Sequence, residues 1–245
     1  MSLNTILPFL STAVMFIFTA FVLQRFFVRR KLHFLFWGVG LAMFGAGSFA
    51  EAYLAIAWNK WVFFIWYLFG AALNAGWIGH GTMYLLFRKK WVHVITVILI
   101  AGSLVAAILM LRIMPLLDAS QFTTAQPVSE QYRTIMPSVE DGAYVRLTTP
   151  FFNIYGLFTL VGGAIWSAWL FWRKRVLPNR VVGNVLIATG ALSIGLASTL
   201  TRLGYGGYLY LGELVAAVLM FAGFLVAAKP QPHEQAERVA AHATD

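Results

Sequence analysis

Seven stretches of this chain, at roughly residues 4–25, 33–58, 61–87, 91–114, 149–172, 181–203 and 208–228, are long and apolar enough to cross a bilayer. A spanning helix rises 1.5 Å per residue and needs about 20 largely apolar residues. Lipid offers the backbone no hydrogen-bond partner, so such segments must satisfy their own N–H and C=O groups. The expected fold class is therefore all-α: a polytopic membrane protein with seven transmembrane helices over residues 1–229 and a mobile polar tail over 230–245. With 60% hydrophobic and 11% charged residues, a soluble globular domain is excluded. The opening MSLNTILPF lacks the basic n-region of a signal peptide, so the first apolar run is expected to be retained.

Basic residues punctuate the apolar runs instead of forming a patch, so the formal charge of +9 does not indicate a nucleic-acid partner. Short links such as Asn59-Lys60 and Arg88-Lys89-Lys90 force antiparallel neighbours. One set of helix ends carries thirteen Lys and Arg and the opposite set five, which predicts the N-terminus outside and the C-terminus inside a cell membrane. Trp58 and Trp61 fall at the outer boundary and Trp37, Trp91 and Trp172 at the inner one, whereas Trp66, Trp77 and Trp166 lie deeper and require another reason.

The connection over about 115–148 is too long for a mere link. Within it QYRTIM and AYVRLT flank the turn-rich PSVEDG, a pattern that predicts an extracellular hairpin or cap, with an irregular loop as the alternative. GAGSFAEA (45–52) and GALSIGLA (190–197) agree at four of eight positions, and Pro8-Phe9 and Pro150-Phe151 open the first and fifth helices. These matches suggest a 3+1+3 parallel repeat around a solitary fourth helix.

Charge inside a membrane must be paired, hydrated or functional. Glu51 and Glu213 each fall about 8–10 Å inside the outer boundary by residue count. Inserting an ionised Glu costs a few kcal/mol, and protonating one at pH 7 costs about 3.7 kcal/mol, so neither state is excluded. Arg202, across the YGGY turn, is the expected partner of Glu213, while Glu51 has no local partner other than Lys60, which lies beyond the boundary. Asn153 and Tyr155 fall near the same level. Asn74 and His80 lie on the third helix, and His80 is read either as a core histidine bonded to Tyr84 or as a ligand or proton relay. His33 and His93 are interfacial, so no second histidine is available for two-helix haem ligation. On the sixth helix Asn184, Ala188, Ala191, Gly195, Ser198 and Arg202 form a small and polar stripe, read as a packing face or as a lined pathway.

GxSxG, HExxH and phosphate-loop motifs are absent, and with no cysteine there is no disulfide, thiolate metal site or cysteine nucleophile. No enzymatic activity and no cofactor or metal are expected. Seven helices, an outside N-terminus and this length are similar in topology to microbial rhodopsins and SWEET-type sugar transporters. A retinal protein needs a lysine within its last helix, and Lys31, Lys60, Lys89, Lys90, Lys174 and Lys229 all fall at loops or boundaries, so covalent retinal is excluded. The expected function is an outward-facing polar pocket that binds or moves a small solute or proton. The alternative is a sensory or accessory subunit with structural carboxylates. Partners, besides the bilayer, are then a small-molecule or lipid ligand, another membrane protein, or a second copy.

Overall fold

The computed structural model describes residues 3–87, 89–174, 177–203 and 208–229, without the side chains of residues 3–5 and 202. The expected mobile tail 230–245 lies outside the described residues, as does most of the YGGY turn. Every apolar window folds into a helix. In chain order these are α1 (Leu3–Arg29), α2 (Leu32–Leu54), α3 (Lys60–Leu86), α4 (Trp91–Ile113), α5 (Val128–Ile135), α6 (Val145–Arg173), α7 (Pro178–Arg202) and α8 (Tyr208–Ala227). Seven of them are long and apolar enough to span a membrane, and the protein is an integral multi-pass membrane protein.

Two spans contain a wide π-helical stretch, Trp66–Leu73 in α3 and Leu157–Gly162 in α6. Such a stretch rotates the residues beyond it and releases backbone carbonyls from the usual ladder. Released carbonyls need side-chain partners when lipid or protein surrounds them.

The principal packing contacts run α1–α2–α3–α6–α7–α8 and back to α1, a closed ring of six helices. Outside that ring, α4 rests on α3 and α6. Its outer face is apolar and open, with Val97 67%, Ile98 63% and Leu104 60% exposed, as suits a helix bathed in lipid. Small residues set the close approaches inside the ring. A Cβ on Gly47 would collide with the Gly70 Cα, so α2 and α3 touch backbone to backbone there. The expected stripe on the sixth helix only partly forms a packing face: Ala188 and Ala191 are buried, but Gly195 is open. The seam against α8 is one residue round, at Gly183, Gly190 and Ala197, which meet Gly223, Ala216 and Gly212.

The hairpin expected across PSVEDG does not form, because QYRTIM belongs to the helix α5 and AYVRLT leads into α6. Pro127 precedes α5 and fixes the entry of the chain. Val128, Gln131 and Ile135 are its buried residues, a helical spacing and not the alternation of a strand. The PSVEDG turn closes through the Ser138 hydroxyl, which donates to Asp141 Oδ2 at 2.7 Å, and through Gly142 at φ 98°. The cap is hydrophobic underneath: Val128, Ile135, Met136 and Ala143 share a core cluster with Phe63, Trp66 and Tyr67 of α3.

Candidate functional site

The carboxylate site is built from α2, α3 and α8. Residue Glu51 is in the last turn of α2 and Glu213 in the second turn of α8. Both side chains are buried, at 3% and 8% exposure. Their carboxyl groups adjoin, close enough to interact directly. An ionised carboxylate only accepts hydrogen bonds, so two such groups can bond each other only where one keeps a proton. The Trp66 indole N–H donates to Glu51 Oε1 at 2.8 Å, which explains why this tryptophan lies below the aromatic belt. Oε2 of each glutamate is buried and meets no hydrogen-bond partner among the described residues.

A fourth residue completes the site. Tyr210 lies one helical turn before Glu213 and is 2% exposed, with its phenol within electrostatic reach of both carboxyls. The cap reaches the site through Trp66: Tyr132 of α5 packs against Trp66 and Tyr67 at ring separations of 5.9 and 6.2 Å. Sequence reasoning missed Tyr210. Its signal was the i−3 spacing from Glu213 on one helix face.

The other expected site residues are placed elsewhere. Asn74 donates to the Gly70 carbonyl at 2.8 Å and Asn153 to the Ala71 carbonyl at 3.1 Å. Both carbonyls belong to the π stretch of α3, so these two amides serve the backbone there and do not join the carboxyls. The side chain of Arg202, the expected partner of Glu213, lies outside the described residues.

Tyr155 joins His80 instead of the carboxyl pair. The span α6 begins at Val145, one turn before the expected start, which carries Tyr155 deeper than the count from residue 149 implied. His80 is fully buried, with Tyr155 Oη at 2.7 Å from Nδ1 and Thr96 Oγ1 at 2.8 Å from Nε2. Thr96 Oγ1 is also bonded to Tyr84 Oη at 2.7 Å, and that phenol to His93 Nδ1 at 2.8 Å. Tyr84, the expected partner of His80, therefore reaches it through Thr96 and otherwise touches it edge to face at 5.1 Å. The single Thr96 proton goes to the Val92 carbonyl at 3.0 Å. Neutral His80 then donates from Nε2 to Thr96 and accepts from Tyr155 at Nδ1, which leaves every member of the chain satisfied. Trp77 beside it donates to Ser103 Oγ at 3.1 Å. Trp166, the third deep tryptophan, is 55% exposed and packs on Trp169 at 5.1 Å.

Among the described residues no three His, Cys, Asp or Glu side chains gather as a metal site would require. No protein-family model, no curated protein and no solved structure matches this chain, so the site rests on its own geometry.

Proposed function

We propose that this is a multi-pass protein of the cell membrane, oriented with its N-terminus and the α5 cap outside, in which the Glu51–Glu213 pair takes up and releases a proton as the protein binds or moves a small solute. One observation carries the reading: two buried carboxyl groups from helices distant in sequence meet each other, and no cation accompanies them among the described residues. A pair that shares one proton can lose it only at the cost of two adjacent negative charges in a region of low dielectric, so proton release is linked to any movement that parts α2 from α8. Trp66 favours charge on Glu51 by donating to it. The 3+1+3 repeat draws support from the position of α4, outside the ring that the other six spans form.

The test is proton flux in proteoliposomes carrying an entrapped pH dye, with the protein inserted in one orientation. Glu51→Gln and Glu213→Gln are each expected to reduce flux by an order of magnitude or more. Unchanged flux in the double variant defeats the reading.

The second reading, an accessory or sensory subunit, is favoured by the open apolar face of α4, which suits a neighbouring membrane helix as well as it suits lipid. Native mass spectrometry of the protein from its own membrane separates the two: a stoichiometric partner that leaves with Val97 and Ile98 substitutions supports the second.

A further inference from the structure

The ring encloses a second polar feature, in the half of the bundle away from the cap. A small, partly open cavity lies among α1, α2, α3, α6, α7 and α8, and all six helices line it. The peripheral α4 contributes nothing. The lining has two layers. The deeper one is apolar: Phe18, Leu41, Ile78, Leu160 and Met220. Closer to the basic helix ends stand Trp37, Ser167, Asn184 and Phe224. Ser167 is six residues before Arg173 and Asn184 six after Pro178, which puts both about 9 Å inside those ends.

Only some of the polar groups are consumed by the fold. Trp37 donates to Thr82 Oγ1 at 3.3 Å, which closes the wall between α2 and α3. The side chains of Ser167 and Asn184 line the cavity, and the hydroxyl of the one and the amide of the other make no hydrogen bond among the described residues. Ser167 is 7% exposed, and its hydroxyl oxygen is accessible from the cavity. An unbonded hydroxyl and amide in an apolar cavity cost free energy unless a water or a ligand satisfies them. Among the described residues no Lys, Arg, Asp or Glu lines the space, so a charged headgroup entering it would be desolvated without a counter-charge there. The basic residues at the nearby helix ends are engaged at the rim, as where the Arg25 guanidinium lies over the Phe224 ring at 4.5 Å.

We infer that this cavity is a binding site for a neutral, lipophilic molecule with one hydroxyl or carbonyl group, its oxygen held by Ser167 and Asn184 and its hydrocarbon part in the deeper layer. Mostly apolar walls with a few convergent polar groups are what such a site requires. The ligand enters from the basic side, and the occupied cavity bridges α6 and α7 to α1 and α8. This site is separate from the carboxyl pair, so either can fail without the other.

The experiment uses the full chain in lipid nanodiscs and a photoreactive probe, undecanol with a mid-chain diazirine. Expected labelling falls on the peptides that carry Phe18 and Met220, and excess 1-undecanol suppresses it. Excess undecanoate or undecylammonium leaves it in place. Ser167→Ala with Asn184→Leu is expected to weaken probe binding by about five-fold or more, while labelling of the α4 face at Val97 and Ile98 stays as in the parent chain. Ala164→Leu, which fills the cavity without touching either polar group, also removes the signal. Labelling confined to lipid-facing residues overturns the inference. So does equal competition by undecanoate, or binding that survives both variants.

Discussion

At the scale of single residues, the carboxyl pair decides the chemistry. Glu51 and Glu213 are the two acidic residues that the apolar windows retain, and the sequence marks both as exceptional. Their contact is invisible in it, because nothing local links α2 to α8. Two adjoining buried carboxyl groups avoid adjacent negative charges by keeping a proton, so infrared spectra at neutral pH are expected to contain a protonated carboxyl C=O band that the double Gln variant lacks. Absence of that band in the parent protein counts against the pair. Removing the Trp66 donor tests the surroundings: Trp66→Phe leaves Glu51 Oε1 without its indole partner and is expected to lower stability by about 1–3 kcal/mol, measured by steric trapping in bicelles. His80 illustrates the opposite case. The sequence offered a histidine near Tyr84, while the actual link runs through Thr96 on α4, where β-branched apolar neighbours conceal its role.

At the scale of elements, irregular helix geometry accounts for polar residues that otherwise resemble ligands. The π stretch Trp66–Leu73 frees carbonyls that Asn74 and Asn153 receive. Asn153→Leu is expected to cost about 1–3 kcal/mol by orphaning the Ala71 carbonyl, with proton flux retained once the protein is folded. Loss of flux in a fully folded Asn153→Leu protein instead places Asn153 in the site. Close backbone contact makes a second prediction: Gly47→Val drives a side chain into Gly70 and is expected to destabilise by at least the ~1–3 kcal/mol typical of overpacking, read as a fall in the unfolding midpoint. In the connection ahead of α5, the Ser120 backbone N–H and hydroxyl hold the Asp118 carboxyl below its ordinary value of 3.8. Their stabilising effect is complete above that value and is lost as pH falls through the lowered one. The Ser120 amide shift should therefore move with acid in the parent chain and stay still in Asp118→Asn. The cap itself was misread as strands because β-branched and aromatic residues flank an Asp-Gly turn, whereas its buried residues recur at helical spacing.

At the scale of the molecule, the ring assigns the spans their roles. A chain without cysteine permits single-cysteine labelling without background. Cysteines placed at Glu140 and at Lys89 are expected to react from opposite sides, Glu140 from outside. Labelling of both from one side rejects the orientation.

The sequence by itself determined that seven segments span a membrane, because helix length and apolar content are local properties that lipid imposes directly. It also determined where buried charge had to be explained. Only the tertiary structure decided that Glu51 meets Glu213, that Tyr155 serves His80, and that Ser167 and Asn184 share a cavity. Each of those pairings depends on the order of helices around the ring and on how far each helix is rotated. Both are set by side-chain packing and by the two π stretches, none of which leaves a periodic trace along the chain.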